Sequence, residues 1–136
     1  MPDGLTFTVL GDPVPWARAD TRGSQRFTPA KQREYMLEVQ WLARRAMREA
    51  GVDKLDGAVI LEMVAIWSWP ATISRASRPL SGMDRKATRP DASNIVKLVE
   101  DALNGIAFTD DARISDLHVF KRYGDTPGVT VTVRPA

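Results

Sequence analysis

A small single-domain α+β fold, a mixed β-sheet with two main helices packed on it in β-α-β-α-β-β order, is what the sequence predicts. Three observations carry that expectation. Two segments repeat apolar residues at steps of three and four, four short runs are apolar or alternate in polarity, and no repeat or linker divides the 136 residues. A chain of this length buries one core and not two, so the domain is expected to span residues 1–136.

Leu5–Leu10 alternates Thr6 and Thr8 with apolar neighbours and reads as a strand that Pro13 and Pro15 end. Over Pro29–Ala50, Tyr35, Met36, Val39, Leu42, Ala43, Ala46 and Met47 recur with helical spacing. Thr28 suits the N-cap, Pro29 the first turn and Gly51 the stop. Residues 58–69 read as a long buried strand closed by Pro70. Residues 71–90, with Pro79, Gly82 and several Ser and Thr, read as a mobile basic loop that orders on a ligand. A helix follows at about 91–104, with Ile95, Leu98, Val99, Ala102 and Leu103 as its buried stripe and Gly105 as its stop. Residues 113–123 and 129–133 read as two strands joined as a hairpin through Gly124, Asp125, Pro127 and Gly128.

Composition narrows the function. With 43% hydrophobic and 26% charged residues the chain is globular rather than disordered. The absence of cysteine excludes disulfides, thiolate metal sites and a cysteine nucleophile. The apolar stretch 58–69 contains Glu62 and is too short for a bilayer, and the N-terminus has no basic segment of a signal peptide, so the expected location is the cytoplasm, without a membrane partner. The net charge of +2 is modest, but Arg18, Arg22, Arg26, Lys31 and Arg33 crowd one segment, and Arg75, Arg78, Arg85, Lys86 and Arg89 another. Two basic segments suit a polyanion such as nucleic acid, because each neutralised phosphate releases counterions; solvated loops are the plainer explanation.

The stretch RPDASNIVK, residues 89–97, opens the second helix with an acid, an amide and a lysine. At about 100° per residue, Asp91, Asn94, Lys97 and Asp101 fall in one arc beside the apolar stripe, and Asp110 and Asp111 precede the next strand after a short loop. Magnesium takes one or two protein carboxylates, keeps waters and accepts phosphate oxygens, so Asp91 and Asp111, helped by Asp110, suffice as ligands. Such an ion polarises a phosphodiester and activates water, while Lys97 stabilises charge growing on the phosphate. The ordinary explanations are that Asp91 caps the helix, that Asp110 and Asp111 form a polar turn, and that Lys97 and Asp101 are a surface i, i+4 pair. They leave unexplained why all three features accompany two basic segments, and the metal site is the preferred reading.

The stretches RPDASNIVKLVEDALNG and FTDDARISDLHVFKRYG resemble the RusA family of Holliday junction resolvases, whose motif is Asp-x-Asp-Asn, a lysine three residues on, and Asp-Asp before a downstream strand. GDPVPWARAD and RFTPAKQREY are similar to the family's opening strand, arginine-bearing turn and first helix, so the resemblance spans nearly the whole chain. Asp91, Asn94, Lys97, Asp110 and Asp111 fall on the family pattern, and Lys121 falls on a basic position after the last acidic motif. The resemblance implies magnesium-dependent cleavage of branched DNA, with manganese as a substitute, by a homodimer of phage or prophage origin. Two positions depart from the pattern. Ser93 stands where the family usually has its second aspartate, a place where a hydroxyl coordinates without supplying charge, and Asp20 stands where many members carry an arginine.

Two other functions remain open to test. A junction-binding protein that no longer cuts, with Ser93 as the lesion, shows no metal-dependent cleavage. A structural or protein-binding module shows no salt-dependent DNA binding. His118 alternates with apolar neighbours on a strand and reads as structural or exposed rather than as a base; Trp41, Trp67 and Trp69 read as core, and Trp16, beside Arg18, as core or as a stacking residue for an unpaired base.

Overall fold

The computed structural model describes residues 4–17 and 29–136. The expected cap Thr28, the arginines Arg18, Arg22 and Arg26, and Asp20 lie outside the described residues. The elements are β1 (Leu5–Leu10), α1 (Pro29–Ala50), β2 (Val59–Trp67), β3 (Met83–Arg85), α2 (Ala92–Leu103), β4 (Ile114–Gly124) and β5 (Gly128–Pro135), with single 3-10 turns at Arg75–Ser77 and Asp111–Arg113. These confirm the α+β class, and the five strands form one mixed sheet in the order β1-β5-β2-β4-β3.

Among the described residues only one face of the sheet is covered. Leu5, Phe7, Val9, Leu61, Met63, Ala65, Val129, Val131 and Val133 point into the core, and their alternate neighbours point away from it. On the open face Thr6 meets Thr132 at 3.1 Å, Thr8 meets Thr130 at 3.0 Å, and Arg134 donates to Glu62 at 3.2 Å. Helix α1 buries Gln32, Tyr35, Val39 and Ala43, one stripe at helical spacing, and packs on β1 and α2. Gly51 takes the left-handed conformation, φ 67°, that ends α1. Helix α2 buries Ile95, Val96, Leu98, Val99, Ala102 and Leu103, half of its residues.

The expected hairpin between the last two strands does not form. β4 pairs in parallel with β2, and β5 pairs antiparallel with β2 and with β1, so the connection after β4 steps across the end of β2. Glycines permit this crossing. A Cβ on Gly124 would stand 2.7 Å from the Ile66 side chain, and one on Gly128 would stand 2.9 Å from the Val9 carbonyl oxygen. Turn chemistry reports that the chain reverses, but not which strand lies beside it.

Within the expected loop 71–90, β3 pairs with the C-terminal end of β4, Met83 to Gly124 and Arg85 to Arg122, a strand that its uniformly exposed side chains concealed. Trp41 is 57% exposed and is not a core residue, while Trp67 and Trp69 are half-buried.

After α2, Gly105 (φ 80°) turns the chain so that Phe108 enters the core fully buried. Thr109 donates to the Leu55 carbonyl and Leu55 to that of Ala107, which fixes the stem of the Asp110–Asp111 turn. Phe108→Ala is expected to cost about 3–5 kcal/mol, as deletion of a buried ring generally does, measured by urea unfolding, and to loosen that turn, read as faster amide exchange at Thr109 and Asp111.

Candidate functional site

The entrance to α2 is held from three sides. Asp91 occupies the N-cap position, with φ −66° and ψ 145°, and its backbone carbonyl accepts from Asn94 N–H at 3.1 Å. Its carboxylate makes no capping hydrogen bond, so the cap explanation leaves the side chain unused. Asp110 likewise stands at the cap of the 3-10 turn Asp111–Arg113 without a side-chain cap bond. Lys121, on β4, donates to the carbonyls of Thr88 and Pro90, each at 2.7 Å, and ties the approach to Asp91 to the sheet. Asn94 accepts through its backbone carbonyl from Trp16 N–H at 3.0 Å. The buried Gln32 clamps the neighbouring residue at two points, accepting from Ala17 N–H at 3.2 Å and donating to the Ala17 carbonyl at 3.0 Å. This clamp sets the segment that leads to Arg18, and an isolated glutamine in an amphipathic helix gave no sign of it in the sequence.

Ser93, Lys97, Glu100, Asp101 and Asp111 line one cavity, closed on its sheet side by Leu117 and Val119 of β4. Asp91, Asn94 and Asp110 are not among its lining residues. Lys97 lies between two partners, its ammonium 4.9 Å from the centre of the Trp16 ring and 3.9 Å from the Asp101 carboxylate. The Trp16 ring thus packs against a cation. The i, i+4 pair that the sequence allowed is present, but at the mouth of the cavity rather than on an open helix face.

Glu100 is the site residue that the sequence reading missed. Burial raises its carboxyl above the ordinary 4.5, Asp111 and Asp101 push the same way, and Lys97 opposes them. Seven residues after Ser93, it returns to nearly the same helix face two turns on. That spacing was the available signal, masked because Glu100 beside Asp101 looks like ordinary helix surface.

The basic residues divide. Arg75 and Arg85 are exposed, as is Arg89, whereas Arg78 and Lys86 lie against aromatic rings: Arg78 over Trp69 at 5.4 Å, Lys86 over Trp67 at 5.2 Å and Tyr123 at 4.7 Å. The Lys86 ammonium also donates to Thr88 Oγ1 at 2.7 Å, and Thr88 bonds the Tyr123 hydroxyl at 2.9 Å. The Thr88 bond is the main cause holding the Tyr123 phenol below its usual value. Among the described residues no helix is long and apolar enough to cross a membrane.

Among the described residues, then, a mixed sheet with one covered face carries an acid- and lysine-lined cavity in the same small domain as a basic loop. The model of the family Endodeoxyribonuclease RusA matches residues 11–134, and the chain belongs to that family. It is 32% identical over 142 residues to an uncharacterised Bacillus subtilis (strain 168) protein, YqaN, across 97% of this chain and 96% of that one.

The raised carboxyl of Glu100 carries a pH signature. A native state that holds this proton more tightly than the unfolded chain binds more protons, so stability falls as pH rises from the ordinary carboxylate value through the raised one. Glu100→Gln is expected to raise Tm at pH 7 and to leave it unchanged below about pH 3, where the carboxyl is protonated in both states. Thermal melts of both proteins at the two pH values check this, and an equal gain at both would assign the effect to packing.

Proposed function

We propose that this chain is a metal-dependent endonuclease that resolves four-way junctions and related branched DNA in recombination and repair. The observation that carries this reading is the convergence of Ser93 and Lys97 from α2 with Asp111 from the turn before β4 on one cavity, while Asp91 at the start of the same helix makes no side-chain cap bond. Family membership supports the substrate class.

Among the described residues no three acidic or histidine side chains gather closely enough to enclose a metal by themselves. The donor set nonetheless suits magnesium, with manganese as a substitute, because that ion needs only one or two carboxylates and fills the rest of its shell with water and phosphate oxygens. Asp91 and Asp111 would hold the ion, with Asp110 assisting and Ser93 offering an uncharged hydroxyl. When bound, the ion supplies Lewis acidity at the phosphodiester and a more acidic water. Lys97, positioned by Trp16 and Asp101, stabilises the charge that grows on the phosphate. Asn94, Lys121 and the arginines Arg18, Arg22, Arg26, Arg75, Arg78, Arg85 and Arg89, with Lys86, make up the DNA-binding set. Lys121 acts by holding the Thr88 and Pro90 carbonyls, and with them the backbone that delivers Asp91. A homodimer follows from the substrate: a junction with two-fold symmetry requires two symmetric cuts, which two identical subunits supply. The family likeness also supports phage or prophage origin and action in the cytoplasm.

One observation favours a second reading. Ser93 brings no charge to the cavity, which suits a protein that binds branched DNA and cuts it weakly or not at all. Metal-dependent cleavage of a synthetic four-way junction separates the two readings, and no cleavage with magnesium or manganese would favour the second.

Asp91→Asn is expected to abolish cleavage and leave junction binding intact. Its Tm should stay close to that of the parent, since the carboxylate makes no cap bond and asparagine caps about as well. Full activity in this variant would remove Asp91 from the chemistry.

Ser93→Asp adds charge beside Asp111 and near the positive end of α2. The expected result is a lower metal concentration for half-maximal cleavage, with unchanged junction affinity in metal-free buffer. Coincident metal titrations of the two proteins would place residue 93 outside the ion's reach.

A further inference from the structure

A second cavity, of about 650 Å³, opens beyond the end of β2 and has no part in the acid site. Its lining includes Trp69, Arg75, Arg78, Pro79, Leu80 and Asp125. Trp69 and Arg78 on its wall belong to a column of flat groups that Tyr123 backs. The rings of Tyr123 and Trp69 stack with centroids 6.1 Å apart and planes inclined by 25°, and the Arg78 guanidinium lies over Trp69, 5.4 Å from its centre. Asp125 braces the column by accepting from the Trp69 indole N–H at 2.9 Å, with the same oxygen 3.8 Å from an Arg78 amino nitrogen. The Arg78 side chain retains 26% of its exposure, and its Nε is buried without a hydrogen-bond partner. Leu80, at 108% exposure, projects fully into solvent, and Arg75 is exposed beside it.

These features select a ligand. An inorganic anion would use Arg75 and Arg78 but leave the aromatic backing and the bare leucine without a purpose. An apolar molecule would use Leu80 and Pro79 but leave two guanidinium groups unmatched. A nucleotide satisfies both, offering a flat π-face for a guanidinium plate and a phosphate for the second arginine. Within a duplex both faces of a base are covered by its neighbours, so only an unpaired nucleotide can present one.

We propose that this cavity binds one unpaired nucleotide of single-stranded DNA, its base stacked on the Arg78 guanidinium against Leu80 and its phosphate on Arg75. The proposal rests on the DNA-binding reading above and adds a preference for unpaired bases to it. The column is also joined to the acid site. The Tyr123 hydroxyl bonds Thr88, and Lys121 holds the carbonyls of Thr88 and Pro90 immediately before Asp91. A base seated on Arg78 therefore sits on the same framework that delivers Asp91.

The test uses the full chain in metal-free buffer and fluorescence anisotropy with two labelled single strands of about eight nucleotides, one of thymidines and one with the same backbone but abasic. Wild type is expected to bind the thymidine strand about tenfold or more tightly than the abasic one, the size that base stacking supplies. Arg78→Lys keeps the charge and removes the plate, and Leu80→Ser alters a fully exposed side chain that the fold does not need. Each should reduce the preference at least about threefold, a partial loss of that stacking, and Leu80→Ser, which lies outside the DNA-binding set, should leave abasic binding at the wild-type level. A preference that persists in both variants, or is absent in a wild type that still binds a four-way junction, overturns the proposal and leaves the nuclease reading standing. Failure of wild type to bind the junction at all overturns both.

Discussion

Burial of the apolar stripe of α2 is the constraint on which the site depends. Six of the helix's twelve residues are buried, and they lie against α1 and β4, so the helix has little freedom to rotate about its axis. At roughly 1.5–3 kcal/mol for each large apolar side chain, a rotation that exposed even two of them would exceed anything a surface ion pair returns. The polar face therefore has a fixed heading. Ser93, Lys97 and Glu100 are turned toward Asp111 because Leu98, Val99 and Ala102 are turned away from it. The polar residues inherit their heading from core packing, and the Lys97–Asp101 pair refines it only locally.

That dependence explains what the sequence disclosed. Periodicity is the imprint of burial, so α1 was legible to its end residues, the stripe of α2 was visible, and Lys97 and Asp101 could be assigned to one arc. Asp91 and Asp111 were legible as types at a spacing, and the family resemblance rested on the same residues. Strand order was not legible. Gly124 to Gly128 announces a reversal, but which strand β5 meets is decided by the hydrogen-bonding edges left open by β1 and β2, residues far away in the chain. β3 escaped because Met83, Asp84 and Arg85 are all exposed and carry no alternation. Trp41 and Trp69 looked like core because aromatic rings usually bury, yet Trp69 spends its faces on Tyr123 and Arg78. Glu100 was hidden for the opposite reason: a carboxylate on a helix next to another carboxylate resembles solvated surface, and only the fold shows that it is half-buried beside Asp111.

The cations near the site are held rather than free. Lys97 lies between an indole and a carboxylate, Lys86 between two rings, Arg78 between an indole and Asp125, and Lys121 on two carbonyl oxygens. Long basic side chains lose considerable rotamer freedom on binding a phosphate. Here much of that ordering is already built into the fold, which turns a flexible charge into a positioned one. The exposed Arg75, Arg85 and Arg89 keep their freedom and suit general attraction to a phosphate backbone.

The insertion of β5 between β1 and β2 has a consequence for how the protein comes into being. On the ribosome β1 and β2 emerge early, but they are not each other's neighbours, and the strand that joins them is residues 128–135. Until those residues are made, β1 has no ladder at all, and β2 presents an unfilled edge of apolar strand. Pairings across such a sequence separation form slowly, and open edges invite other chains in the meantime. Helix α1, with its buried stripe exposed and its sheet incomplete, must wait as well. Assembly is therefore closer to the closing of a clasp than to the growth of a sheet strand by strand, and the strand edges beside β5 stay open until residues 128–135 are in place.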